Sequence, residues 1–262
     1  ALNISRNISK VLDINGGPFS DPNNRDALNL GTSVVKEGEP LGLLYGRVAT
    51  GIIKTEEQLA AAKEAFPYYT SFDPYLDLGD IAFEYEDGYW KEDVIGRSTP
   101  DFFGGYTNTF TWKQFTLTAL FTFSYGNDLI YQKDVSDSGM SSLANRGTRV
   151  LNHYSETNTS SNRPRSMWAA TYMLTSLNVY DASYLKLKTL TLNYNLPASI
   201  CQKVKIKSAS IYGTATNVFT LTSYPGPDPE VSDDPGSVIG GGRDASTYPT
   251  AKSYTFGIRI GF

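Results

Sequence analysis

Cysteine and histidine are nearly absent: 262 residues contain one of each, Cys201 and His153. A single cysteine excludes an intrachain disulfide, and with it a small fold stapled by such bonds. A zinc site needs three or four Cys, His or carboxylate ligands, and none cluster here, so no metal is expected. Ser-His-Asp catalysis would have to run through His153, which sits in a Ser/Thr/Asn-rich stretch and reads as a solvated loop histidine. Cys201, beside Ile200, reads as a small, partly buried apolar residue. Charge is scarce as well, 19% of the chain against roughly 25% in ordinary soluble domains. With a net charge of −4 and no basic stripe, nucleic acid is not an expected partner. Long apolar runs are missing too. The longest span four residues, Leu59–Ala62 and Met167–Ala170, far short of the roughly 18 that a membrane-spanning helix needs. The opening Ala1–Arg6 has neither the basic nor the apolar region of a signal peptide. It lacks an initiating Met and starts inside an apparent strand, so the chain is expected to be a piece of something longer.

What the chain does have is Tyr (18), Phe (13) and a large share of Ser, Thr and Asn. That mixture favours strands, and with this apolar content and low net charge it excludes intrinsic disorder. The dominant pattern has period 2. In Phe115–Tyr125 every odd position is apolar or aromatic, and the even ones are Thr or Ser except Leu120. Tyr106, Phe110 and Trp112 alternate with Thr107, Thr109 and Thr111. Lys113-Gln114 between these runs is short enough for a tight hairpin. The last residues repeat the theme, with Tyr254, Phe256, Ile258, Ile260 and Phe262 on one face.

A soluble sandwich and a membrane barrel both produce such alternation. The strands here run to ten residues or more, against a usual mode of about five or six. Their apolar faces carry aromatic residues at the ends (Tyr106, Trp112, Phe115, Tyr125, Tyr254, Phe262), the girdle pattern of a membrane barrel. The expected fold is all-β, an antiparallel transmembrane β-barrel, with eight strands at 1–12, 27–36, 41–53, 106–113, 115–126, 180–195, 208–218 and 253–262. Joins at 37–40 and 113–114 are tight and 196–207 is moderate; those at 13–26, 54–105, 127–179 and 219–252 are long. In one strand Leu185 and Leu187 fall out of phase with Leu190, Leu192 and Tyr194. A β-bulge near Lys188-Thr189 would restore the phase; otherwise the two leucines face inward. One helix is expected at 55–66, with Thr55 and Gln58 forming a capping box and Pro67 after its end.

The segment Asp181–Pro197, with Ser183-Tyr184-Leu185-Lys186-Leu187-Lys188-Thr189-Leu190-Thr191-Leu192-Asn193-Tyr194 at its centre, resembles a hallmark of the SusC/RagA family of TonB-dependent outer-membrane transporters. Ile211–Thr222, Tyr224–Val231 and Tyr248-Pro249 resemble the family's following segments. Upstream, Glu39–Gly42 with Tyr45-Gly46 and Gly51-Ile52, then Gly79–Ile81 and Pro100–Gly105, match it more loosely in the same order. The resemblance implies that 1–262 is the C-terminal part of a 22-stranded barrel, about its last eight strands, with the plug domain and TonB-binding segment absent from this chain. It implies import of oligosaccharides or peptides across the outer membrane of a Gram-negative bacterium. The implied partners are a SusD-like surface lipoprotein, TonB through the missing N-terminal part, outer-membrane lipid, and a glycan or peptide cargo. Association of two transporter units stays open, and no catalysis is implied. A soluble β-rich carbohydrate-binding module is the rival reading.

Two groups of side chains are candidates for function. Tyr85, Tyr89, Trp90, Trp168 and Tyr172 in the long connections suit sugar stacking or peptide contacts. Tyr254, Phe256, Ile258, Ile260 and Phe262 resemble the signal by which barrels are captured for assembly. The acidic run Asp77, Asp80, Glu84, Glu86, Asp87, Glu92 and Asp93 reads as a solvated loop. Tyr85 and the shifted Asp87 break the ligand spacing of a calcium loop, so no cofactor is expected. Calcium in that loop is the alternative kept open.

Overall fold

The computed structural model describes residues 1–14, 20–21, 24–65, 76–138, 145–166, 174–234 and 236–262. Its organising element is a six-stranded antiparallel sheet of Leu2–Ser5, Phe102–Trp112, Phe115–Tyr125, Tyr184–Asn195, Ser208–Thr222 and Ser253–Gly261. These six lie side by side in chain order, a meander. Three long connections, 6–101, 126–183 and 223–252, leave one end of the sheet. The other end carries only the two-residue turn at Lys113-Gln114 and the 196–207 join, which holds a short helix, Ala198–Lys203. Cys201, on that helix, is fully buried.

The period-2 alternation sorts side chains cleanly between the two faces. Register pairs Tyr106 with Phe121, Phe110 with Leu117 and Trp112 with Phe115 on the outer face. Ile211 pairs with Ile258, and Ala215 with Tyr254, on the same face. That face has no covering layer among the described residues: Phe110 is 63% exposed, Tyr254 70% and Phe256 82%. At one end Phe102 stacks on Tyr125, ring centroids 5.0 Å apart. At the other, Phe115 meets Tyr194 at 4.7 Å and Trp112 at 6.5 Å. From Phe115 to Tyr125 the strand runs about 33 Å at ~3.3 Å per residue. Tilted by about 40°, it would cross an apolar band of about 25 Å. The inner face is a field of paired hydroxyls: Thr191 with Thr214 at 3.0 Å and Thr216 with Ser253 at 2.6 Å.

The out-of-phase leucines are reconciled by a bulge where the sequence requires one. Leu120 pairs with Thr189, while its neighbour Phe121 pairs with Leu187, so Lys188 is an inserted residue. On the next strand Leu187 pairs with Phe219 and Thr189 with Thr216, leaving Asn217 and Val218 opposite Lys188. Leu185 and Leu187 thereby join the outer face opposite Phe123 and Phe121. Lys186, between them, turns inward.

Two of the eight expected strands do not belong to this sheet. The 27–36 run is a hairpin, Asn24–Asn29 and Ser33–Lys36, turning at Gly31 with φ +89°. The 41–53 run splits into Leu43–Arg47 and Ala49–Ile52, which pair in different small sheets. The physical reason is two-sided burial. Val34 and Val35, and likewise Leu43 and Leu44, are adjacent yet all buried, so protein covers both faces of these short strands. The expected 1–12 strand divides as well: Leu2–Ser5 pairs in the sheet, Val11 instead exchanges backbone hydrogen bonds with Gly38 and Glu39, and Ile8 and Leu12 lie exposed. The helix forms as expected, at Glu56–Ala65. Thr55 Oγ1 accepts from Gln58 N, and Gln58 Oε1 from Thr55 N, both at 3.2 Å. Leu59 and Ala62 pack against Ile53 and Leu76 in a small core.

Leu117 on the outer face and Thr118 on the inner give a direct test of the sheet's sidedness. With full-length protein in vesicles containing spin-labelled lipid, a fluorophore on Leu117→Cys is expected to be quenched severalfold more than one on Thr118→Cys. Equal quenching would show that the outer face is not in contact with lipid.

Candidate functional site

Of the five aromatic candidates, the fold brings three together. Tyr85-Glu86 and Tyr89-Trp90 form a two-stranded hairpin. Its turn residues Asp87 and Gly88 have φ +52° and +79°, the positive angles that a type I′ turn needs at both centres. The Trp90 ring is packed at 5.9 Å from Phe83 and lies beneath the Arg47 guanidinium at 4.3 Å. Tyr85 is half-buried, which pushes its phenol up from the ordinary value. Tyr89, on the other face of the hairpin, is 61% exposed. Trp168 and Tyr172 lie outside the described residues.

The acidic run is not a uniform solvated loop. Asp80 is buried and receives both Nε and Nη2 of Arg165, at 2.7 and 3.0 Å. Glu84 binds Lys91 at 3.0 Å and Glu92 pairs with Arg47 at 3.4 Å. Among the described residues no three Cys, His, Asp or Glu are placed to hold a metal ion. His153 is a loop residue whose Nδ1 contacts the Val150 carbonyl at 2.9 Å.

Two polar clusters escaped the sequence reading. The first surrounds Asp134 on the short helix Gln132–Ser138. Its Oδ1 accepts from Arg163 Nη2 at 2.6 Å and its Oδ2 from the Tyr180 hydroxyl at 2.5 Å, with Arg149 Nη1 at 3.6 Å. Burial and the hydrogen bond to Asp134 both push the Tyr180 phenol up. Nearby Asp137 is buried, which would raise its carboxyl. Lys133, the Gly147 amide and Arg146 outweigh that and hold it below the usual range. The available signal was Arg146, Arg149, Arg163 and Arg165, four arginines close together in a chain poor in charge.

The second cluster pins the 223–252 connection to the inner wall of the sheet. Lys186 is 1% exposed, and its ammonium donates to Asp228 Oδ1 at 3.0 Å and Glu230 Oε2 at 2.5 Å. Lys188, the bulge residue, adds a 2.8 Å bond to the same Glu230 oxygen, and Tyr184 donates to Oε1 at 2.9 Å. Thr250 donates its hydroxyl to Asp228 Oδ2 at 2.5 Å. Burial pushes both carboxyls up, but these hydrogen bonds and the ammonium charge prevail, holding Asp228 and Glu230 below their ordinary values. Further along, buried Tyr224 donates to Asp244 at 2.9 Å and packs with Leu129 and Ala182. Between the pinned connection and the wall lies a cavity of about 600 Å³ bordered by Phe103, Thr122, Ser124, Tyr184 and Glu230.

This second cluster has a pH dependence of definite sign. Carboxyls depressed in the folded state contribute stability that is fully present above their unfolded values, about 4. That contribution is lost as pH falls through the lower folded values. Protease cleavage within 223–252 is therefore expected to stay slow from neutral pH down to about 4 and to rise below it. Lys186→Met breaks a buried pair, at a cost of about 3–5 kcal/mol, and should expose the segment at neutral pH.

No family model matches the chain. TonB-dependent receptor P3 of Formosa agariphila is 31% identical over 272 residues, covering 100% of this chain and 26% of the receptor. TonB-dependent receptor P26 of the same organism is 26% identical over 272 residues, covering 100% and 27%. Among solved structures, a chain of the RagAB peptide transporter superposes with a TM-score of 0.71 at 22% identity, covering 99% of this chain and 26% of that one. The RagAB peptide importer in its closed-closed state gives 0.71 at 23% identity, over 99% and 26%. The chain thus spans about a quarter of the length of the relatives it matches. Along its whole length the chain is similar in sequence to about a quarter of these TonB-dependent receptors, and in fold to the matching part of the RagAB chain.

Proposed function

We propose that this chain is the C-terminal barrel portion of a TonB-dependent importer in the outer membrane of a Gram-negative bacterium, passing oligosaccharides or peptides inward. The observation that carries the reading is the six-stranded meander: an exposed apolar outer face, a hydroxyl-lined inner face, and three long connections gathered at one end. In a receptor the long connections face the exterior and meet cargo and a SusD-like lipoprotein. TonB acts through a plug that the rest of the protein supplies. The sheet supplies the closing strands of a 22-stranded barrel and is not catalytic. The rival soluble binding module would bury Phe110, Phe256 and Ile258 against a second layer. Their exposure, with aromatics at both strand ends, argues for lipid instead.

The terminal strand has two roles in this reading. Tyr254, Phe256, Ile258 and Ile260 share the outer face, and together with Phe262 they form the pattern that barrel-assembly machinery captures. Phe262→Ala is expected to lower the surface amount of the full-length receptor severalfold without changing its synthesis, measured by surface labelling against total protein. Normal surface amounts would remove the assembly role. The importer reading itself is tested by extracting native membranes in detergent and isolating the protein with an antibody to the 127–179 segment. A polypeptide several times longer, accompanied by a surface lipoprotein, is the expected outcome. A lone 28.8 kDa species in the aqueous fraction would overturn it.

A further inference from the structure

Beside Asp134, within the long-connection end, lies a cavity of about 410 Å³ whose polar lining includes Arg149, Arg163, Asn152, Asn162 and Asn178. Each of its carboxylate and amide side-chain oxygens already takes at least one donor from the protein. Asp134 holds Arg163 through Oδ1 and Tyr180 through Oδ2. Asn152 Oδ1 accepts from Asn158 at 3.0 Å, Asn162 Oδ1 from Lys54 at 2.8 Å, and Asn178 Oδ1 from the Thr175 amide and hydroxyl at 3.1 Å. What the lining offers in excess is donors: the amide NH2 groups of the three asparagines and the remaining guanidinium N–H groups. Arg149 Nη1 is buried and has no hydrogen-bond acceptor among the described residues, with Asp134 Oδ1 3.6 Å away. Two guanidiniums face one carboxylate, which leaves a positive excess.

We propose that this cavity is a subsite for a carboxylate carried by the cargo. A neutral sugar hydroxyl gains little from the positive excess, which favours a group that carries negative charge. A carboxylate is acceptor-only and matches guanidinium forks and amide NH2 groups. The volume suits one sugar ring or the end of a short peptide, so the carboxylate belongs to an acidic sugar or to an acidic peptide. The biological role rests on the import reading, but binding is measured on purified protein, so either can fail without the other.

The experiment titrates the full-length receptor in detergent with glucuronate against glucose, and with Ala-Glu against Ala-Gln. The acidic member of at least one pair should bind about tenfold or more tightly than its neutral partner. A preference confined to glucuronate identifies an acidic sugar; one confined to Ala-Glu identifies an acidic peptide. A preference in both means that the carboxylate alone is read. Asn162→Asp keeps an oxygen for Lys54 while exchanging a donor for a negative charge, and should remove the preference with the melting temperature unchanged. Arg163→Gln should weaken acidic binding in the same sense. No binding by any probe, equal binding of acidic and neutral probes, or an unaffected Asn162→Asp receptor would overturn the proposal.

Discussion

Hydrocarbon provides no hydrogen-bond partners, so each backbone N–H and C=O within a bilayer must be bonded to a neighbouring strand. Much of the architecture follows from that constraint. Within the sheet it is met by continuous pairing from Leu2–Ser5 to Ser253–Gly261. At the two outer strands it is unmet among the described residues, because a six-stranded meander has two raw edges. In the proposed barrel further strands cover both. The same constraint explains why the irregular backbone is gathered into the long connections at one end, where water and protein can satisfy its polar groups.

The Lys188 bulge ties the two faces of the wall to each other. Without an inserted residue, Leu185 and Leu187 would lie inward of Leu190 and Leu192. Lys186 would then point to the apolar outer face, away from Asp228 and Glu230. With it, the leucines meet Phe123 and Phe121 outside, while Lys186 reaches Asp228 and Glu230 inside. One extra residue therefore sets both the apolar outer surface and the seat of the 223–252 connection. Tyr184, at the start of the same strand, completes the seat through Glu230.

The sheet was legible in the sequence because one apolar face and one hydroxyl-lined face write strict period-2 alternation over ten or more residues. The helix was legible from its cap, since Thr55 and Gln58 are local. The bulge was legible because a phase slip leaves its mark within one strand. The long connections were harder to read. Ala27–Lys36 and Leu43–Ile52 carry apolar residues at strand-like spacing, but Val34-Val35 and Leu43-Leu44 occupy both faces of a small buried sheet, and adjacent apolar pairs were the warning. The polar clusters were hidden for another reason. Asp80 meets Arg165 from 85 residues away, and Lys186 meets Asp228 from 42, so no local window contains both partners. The aromatic candidates were chosen by residue type and location. Composition could not show that Trp90 packs beneath Arg47 while Tyr89 remains exposed.

Charge is distributed unevenly between the sheet and its connections. Along the middle of the sheet the inner face carries threonine and serine hydroxyls, neutral groups that can donate or accept. Most charged clusters sit instead at the long-connection end, where Asp80, Asp134, Asp137 and Asp228 are buried with cationic partners. A buried pair contributes little net stability over an apolar replacement, but breaking it is costly, so it serves geometry better than it serves free energy. These pairs therefore act as fixed joints for connections that lack a large apolar core of their own. The neutral hydroxyl lining and the rigid polar joints thus occupy different parts of the molecule, the first along the sheet and the second at the end from which the long connections leave.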